Sequence, residues 1–367
     1  MFLTILLYAF VAVTSIQLIY LLFFSSVLFK RKQNNLASNN IPISIIICAK
    51  NEAQNLSLFL PSILNQEYPN FEIVLINDAS SDNTLEVMEA FKEKNTNIKI
   101  VNVINNEAFW GNKKYALTLG IKAATHNHLL FTDADCKAKS KHWIQQMTKH
   151  FSEEKTIILG YGKYLKEKSL VNLFVRFETL LTAIQYFSYA KLGSPYMGVG
   201  RNLAYHKDVF FKTKGFINHI KVRSGDDDLF IQEAATKKNT TYTINPESFT
   251  LSNSPKSFKA WFIQKRRHVS TASYYKFKHK FFLGLFFMSK ICFYILTSLL
   301  FFFISWKTIT PIILAYYITL FIVYGLYSKK LQEKNILFFL PFLEIGLLLF
   351  QFTIFISNTF SKPTHWK

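Results

Sequence analysis

Cysteine is nearly absent from this sequence. Cys48, Cys136 and Cys292 are the only three in 367 residues, an odd number with neither paired nor metal-ligand spacing. That excludes a small disulfide scaffold and argues for a reducing compartment around the soluble part, with no disulfide expected. Charge is sparse at 18% of residues, and acidic charge sparser still, with 23 Asp and Glu against 43 Lys and Arg for a net +20. An intrinsically disordered tail is excluded too, because a chain that is 50% hydrophobic with 38 Phe buries a large core. The basic excess is compatible with a nucleic-acid binder or with a protein held against an anionic membrane leaflet. The basic clusters flank apolar runs, at Lys30 to Lys32 and Lys276 to Lys280, where lipid is the nearer anion. Membrane is therefore the expected partner and nucleic acid is not.

The first 29 residues, Met1 to Phe29, carry no charged side chain. At about 1.5 Å per helical residue they exceed the roughly 30 Å of bilayer hydrocarbon. There is no basic leader and no small-residue cleavage pattern, so the run reads as an uncleaved anchor rather than a signal peptide. Lys30, Arg31 and Lys32 follow at once and place the next segment in the cytosol. Apolar runs return at Phe281 to Ile304, Thr310 to Tyr327 and Ile336 to Ser357, with breaks at Trp306-Lys307 and Ser328 to Asn335. Three more spans are expected, with Phe281 to Met288 lying along the interface as an alternative. Lys290 and Glu344 inside these runs must pair, snorkel or face a polar cavity. Three spans would leave the tail with Lys362 and Lys367 outside, against the preference of positive charge; a re-entrant last segment broken at Pro341 would remove the conflict.

Between these runs the chain alternates strand and helix. ISIIIC (Ile43 to Cys48), EIVLI (Glu72 to Ile76), Ile98 to Val103 and HLLFT (His128 to Thr132) read as buried strands; Leu85 to Lys94 and Lys113 to Thr125 read as helices. Such alternation predicts an α/β fold with a mostly parallel central sheet. Ligands of these sheets sit beyond the carboxyl ends of the strands, where Asn51, Glu52, Asp78, Asp133 and Asp135 fall. Taken alone a D-x-D is commonly a cap or a solvated turn; at the tip of an apolar strand, in FTDAD, its hard oxygens suit Mg²⁺ or Mn²⁺ carrying a diphosphate. SGDDDL (Ser224 to Leu229) crowds three carboxylates. Asp226 offsetting the dipole of a helix Leu229 to Ala235 is one reading; an aspartate acting as general base toward a hydroxyl is the other. In WFIQKRRHVS (Trp261 to Ser270) most of the basic charge reads as an amphipathic helix on the leaflet, whereas Arg267 and His268 suit a leaving diphosphate. Leu170 to Leu192 carries a helical apolar stripe, read as core or as a shallow membrane-contacting helix.

Taken in series, SIIICAKNE, VLINDASSDNT, GNKKYAL, FTDAD, GVGRNLAY, SGDDDL and QKRRH resemble the membrane-anchored family 2 glycosyltransferases with a GT-A type nucleotide-sugar domain, over roughly Ile43 to His268. The resemblance implies that Asn51, Glu52 and Asp78 hold the nucleoside with Lys113 close by, and that Asp133 and Asp135 line the donor sugar and metal, Asp135 as the more direct ligand. It implies Asp227 as the base, with Asp226 where the family has glutamate. Gln264, Arg267 and His268 match the Q-x-x-R-W element over the diphosphate, and Gly200 and Asn202 shape the donor and acceptor pocket. His268 in place of Trp favours single transfer over a polymerase.

The expected organisation is an anchor (1–29), a cytosolic GT-A domain (41–255), a basic interfacial region with QKRRH (256–280), transmembrane segments (281–358) and a tail (359–367). The expected activity is inverting transfer from a nucleoside-diphosphate sugar, UDP-linked, to a lipid-linked saccharide or membrane lipid, with Mg²⁺ or Mn²⁺, at the bacterial inner membrane. A processive polysaccharide synthase and a non-catalytic nucleotide-sugar-binding or scaffold protein are the alternatives.

Overall fold

In chain order the computed structural model contains α1 (Phe2–Ser25), β1 (Ile43–Ala49), α2 (Ala53–Leu64), β2 (Phe71–Asp78), α3 (Thr84–Lys94), β3 (Ile98–Val103), α4 (Lys113–Ala123), β4 (His128–Asp133), β5 (Cys136–Ala138) and α5 (Trp143–Thr148). There follow β6 (Ile157–Leu159), β7 (Gly162–Tyr164), α6 (Leu170–Lys191), β8 (Leu203–His206), α7 (Lys207–Lys212), α8 (Asp228–Ala234), β9 (Thr240–Tyr242), β10 (Thr250–Ser252), α9 (Phe258–Val269), α10 (Phe277–Phe303), α11 (Trp306–Lys330) and α12 (Leu340–Phe360). The structure describes residues 1–29, 40–104, 113–222 and 224–361. The basic triplet Lys30, Arg31 and Lys32, the Gly111-Asn112 start of GNKKYAL, and the tail lysines Lys362 and Lys367 lie outside the described residues.

The main sheet has the order β3-β2-β1-β4-β8-β6-β9. Its β-branched strands β1 and β2 are buried on both faces, as parallel strands under helices must be. β1 runs parallel to β2 and β4, and β2 to β3, while β8 is antiparallel to β4 and β6. The register sets Ala49 beside Asn77 and Cys48 beside Asp133. The carboxyl ends of β1, β2 and β4 therefore open on one edge, where the strand order reverses direction about β1. A small sheet, β5-β10-β7, flanks that edge.

Four helices are long and apolar enough to cross a membrane: α1, α10, α11 and the segment Lys334–Phe360 containing α12. They expose large apolar side chains such as Phe302 and Phe338, as a protein facing hydrocarbon does. α10 is continuous through Phe281 to Met288, which sets aside the alternative of a separate interfacial segment there. The break expected at Trp306-Lys307 falls instead at Ile304-Ser305; Trp306 opens α11. Pro341 lies in the first turn of α12, where its missing N–H costs nothing, and the helix continues unbroken beyond it. Several polar groups inside the apolar runs are partnered. Gln17 donates to Phe286 O (2.9 Å) and Ser289 Oγ (2.7 Å), tying α1 to α10. Lys290 pairs with Glu344, whose carboxylate also accepts from Tyr294 (2.9 Å) and Tyr316 (3.0 Å).

α6 is the interface between sheet and apolar helices, and it is buried on nearly every face. Phe174 packs against Phe342 of α12 and Phe177 against Tyr324 of α11; Ser188 donates to Phe24 O of α1. The core reading of its stripe is the one that fits. α12 is tied to the α/β domain at both ends. Glu333 before it is fully buried and pairs with Lys163 and Arg176, and at its far end Arg266 of α9 donates to Asn358 Oδ1 (2.9 Å) and Ser357 O (3.2 Å).

Candidate active site

A cleft of about 1040 Å³ opens at the carboxyl edge of the sheet. Asp78 from β2, Glu52 from the N-cap of α2, and Asp133 and Asp135 around the end of β4 line it. So do Lys113 at the start of α4, Gly200, Asp226 and Asp227 from the loops around β8 and α8, and Gln264, Arg267 and His268 from α9. Aspartates scattered across some 150 positions of sequence thus face one cavity, because parallel strands deliver their carboxyl ends together. Asn51 and Asn202 do not line it. Asn51, at φ +56°, accepts from Ser81 N (2.8 Å) and fastens the loop after β1 to the loop after β2. Asn202 is fully buried; its amide donates to Tyr161 O (3.0 Å) and Ser248 O (2.7 Å) and accepts from Trp143 (3.1 Å). Both act on the site through its loops.

The crowded carboxylates of SGDDDL each have a different partner. Asp226 accepts from Lys113 Nζ (3.0 Å), and the same ammonium reaches Asp133 Oδ1 (3.0 Å). Burial opposes ionisation of Asp226, yet Lys113 holds it below the usual carboxylate range. Lys113 in turn is raised above its ordinary value, Asp133 and Asp226 outweighing its burial. Asp228 turns inward and accepts from Thr271 (2.5 Å) and Tyr275 (2.6 Å). Among the described residues, Asp227 accepts only backbone N–H groups, from Gly200 (2.7 Å) and Asp228 (2.7 Å). Burial first, then the charges of Asp226 and Asp228, push Asp227 up to about 7. The helix-cap reading is thus corrected in detail: Asp227, not Asp226, caps α8. Gly225 makes the turn possible at φ +91°, where an added Cβ would sit 2.6 Å from Leu229 Cγ. Gly225→Ala is expected to cost about 1–3 kcal/mol and to displace Asp226, seen as a lowered melting temperature together with weakened nucleotide binding.

Asp133, Asp135 and Cys136 place one ligand atom each within 4.8 Å of one another. Burial, Asp133 and Glu52 raise Asp135 to about 6, a repulsion that a cation would relieve. Two hard carboxylates at a cleft suit Mg²⁺ or Mn²⁺, so the residues fit such an ion. Asp78 is raised by burial, partly offset by Lys50 and Lys113. His268 is held well below its usual value by burial and by the charges of Lys265 and Arg267, so its imidazole is neutral. Arg201 and Lys50 are among the cleft residues that escaped sequence reasoning. Arg201 lies over the Tyr164 ring at 4.3 Å, and Lys50 follows β1 directly. Their signal was position alone: a basic residue inside AKNE and inside GVGRN.

This geometry agrees with the comparisons to known proteins. The family described as Glycosyl transferase family 2 matches residues 44–210, and Glycosyl transferase family group 2 matches residues 140–327, more than half of the chain. The chain belongs to the family 2 glycosyltransferases, and its α/β domain has the GT-A fold. It is 31% identical over 159 residues to the poly-beta-1,6-N-acetyl-D-glucosamine synthase of Staphylococcus epidermidis, 40% of this chain and 37% of that one. It is 33% identical over 124 residues to an uncharacterized glycosyltransferase of Haemophilus influenzae, 34% of this chain and 36% of that one. These matches span little more than a third of the relatives' length. Among solved structures, the mannosyltransferase PcManGT from Pyrobaculum calidifontis, in complex with GDP-Man and Mn²⁺, superposes with a TM-score of 0.62 at 17% identity, covering 92% of this chain and 97% of that one; it shares the fold.

Proposed function

We propose that this chain is an inverting glycosyltransferase that moves a sugar from a nucleoside-diphosphate donor, UDP-linked, to a membrane lipid or lipid-linked saccharide, from the cytosolic face of a bacterial inner membrane. The observation that carries the reading is the convergence of Asp78, Asp135 and Asp227 on one cleft. Asp78 and Glu52 hold the nucleoside, and Asp133 and Asp135 hold the ion. When bound, a divalent cation supplies positive charge against the diphosphate. Arg267 and Lys113 add to that charge from the protein. Asp227 takes the proton of the acceptor hydroxyl as its oxygen bonds to the anomeric carbon; the bond from that carbon to the diphosphate breaks on the opposite face, and the nucleoside diphosphate leaves. Configuration inverts in the single step.

A donor panel offered to native membranes with Mn²⁺ or Mg²⁺, followed by mass analysis of the lipid fraction, tests the proposal. A chelator is expected to abolish incorporation and added Mn²⁺ to restore it. Full incorporation in chelator would remove the ion from the mechanism. The partial likeness to a poly-beta-1,6-N-acetyl-D-glucosamine synthase supports a second reading, processive synthesis. Product length separates the two: one added sugar for single transfer, a ladder for a synthase.

A further inference from the structure

The catalytic cleft does not end at the sheet. Leu283, Gly284 and Phe287 of α10 and Leu347, Leu348 and Phe355 of α12 line the same cavity as Asp227. On α10 the lining stops at Ile291, near the middle of the helix, whereas on α12 it extends from Glu344 to Phe355. The two helices meet at the Lys290–Glu344 pair. Three of the lining residues are strongly exposed, Met288 (54%), Phe352 (46%) and Phe355 (64%). They are apolar and belong to the two apolar helices into which the cavity continues from the sheet. Gly284 adds a second, independent sign. A glycine inside a helix costs about 1 kcal/mol relative to alanine, and a Cβ built here meets nothing within 4 Å. A missing side chain facing open space inside a lined channel leaves room for something to pass.

Toward the sheet the lining turns polar. Glu178, Thr182 and Gln185 follow one face of α6 at helical spacing and reach about 10 Å along it. Of the lysines along the path, Lys265 is paired with Glu178 (2.6 Å) and Lys290 with Glu344, and Lys280 donates to Ser273 O (3.3 Å). Thr182 donates to Glu178 Oε1 (3.0 Å), while Gln185 keeps both its donor and its acceptor for a ligand. Beyond them, at the transfer end, Asp226 is paired with Lys113 and Asp227 accepts backbone N–H groups.

We infer that the gap between α10 and α12 is a lateral portal for the acceptor. Its occupant is an amphiphile whose alkyl tail lies between Gly284 and Leu348, and whose uncharged hydroxyl-bearing head lies against Thr182 and Gln185 with the reacting hydroxyl at Asp227. The inference rests on the proposed function for the role of Asp227, and only for that. A phosphate-headed lipid is the competitor against which the test sets it.

The test is photolabelling of the full chain in nanodiscs with a dodecyl glucoside carrying a diazirine at the end of its chain. Labelled peptides are expected within 283–291 and 347–355. Competition by unlabelled dodecyl glucoside is expected to exceed that by dodecyl phosphate. Gly284→Phe, whose Cβ meets nothing within 4 Å, is expected to cut labelling about tenfold, the scale of inserting bulk into a fitted site. Leu348→Trp on the opposite wall is a second plug should the first variant fold poorly. Calorimetry with nucleoside diphosphates on the same samples keeps the two ideas apart. Loss of nucleotide binding in the wild-type chain would overturn the proposed function; intact nucleotide binding with labelling elsewhere, indifferent to both plugs, or better competed by dodecyl phosphate, would overturn the portal.

Discussion

Asp227→Asn is expected to lower transfer by about 10²- to 10⁴-fold, the contribution of a positioned general base, while nucleoside-diphosphate affinity stays near that of the wild type. The substitution keeps the shape of the side chain, but Gly200 donates to Oδ2 and Asp228 to Oδ1, so an amide keeps one of the two bonds; an unchanged nucleotide affinity is what assigns the loss to proton removal and not to the loop. The same residue sets the pH profile. Burial and the flanking charges raise Asp227 to about 7, and the base works only when ionised. kcat/KM therefore falls about tenfold per unit as pH drops below that value and levels off above it. An unperturbed aspartate would hold full activity down to about pH 4. A flat profile between pH 5 and 8, or normal turnover by Asp227→Asn, would assign the base elsewhere.

Glu344→Leu is expected to be the most damaging single change among the apolar helices. Lys290 and Glu344 are both buried, and the carboxylate is also the acceptor for Tyr294 and Tyr316. Removing it leaves an ammonium in an apolar setting without its counter-charge, a loss of about 3–5 kcal/mol. The double change Lys290→Met with Glu344→Leu is expected to recover much of that, because two apolar side chains replace the pair instead of stranding half of it. Thermal unfolding in detergent reads both. If the single variant melts like the wild type, the pair carries little of the packing among α10, α11 and α12.

Much of the fold was legible in the sequence because its determinants are local. The continuous β-branched runs of β1 and β2 allowed only buried parallel strands, and the apolar stretches exceeded the thickness of a bilayer. The carboxylate cleft was legible for a related reason, since a parallel sheet places the ends of its strands together. What could not be read was direction. Nothing in GVGRN distinguishes Asn202, which spends its amide on the carbonyls of Tyr161 and Ser248, from Arg201, which enters the cleft. Nothing in SGDDDL reveals that Asp228 turns toward Thr271 and Tyr275, whose positions depend on the chain returning more than forty residues later. The pairing of Lys290 with Glu344 was only one of three options until the packing of two helices supplied the partner. The course of α12 depends likewise on Arg266, a residue that reads as surface charge.

The central claim is that Asp78 and Asp135 belong to one ion-bridged diphosphate site that Asp227 serves. Calorimetric titration of nucleoside diphosphates into the full chain, with and without Mn²⁺, on the wild type and on Asp78→Asn and Asp135→Asn, measures it directly. Binding that requires Mn²⁺, loses that requirement in Asp135→Asn and weakens in Asp78→Asn is the predicted result. Equal affinity in chelator and in Mn²⁺, unmoved by either substitution, would contradict it.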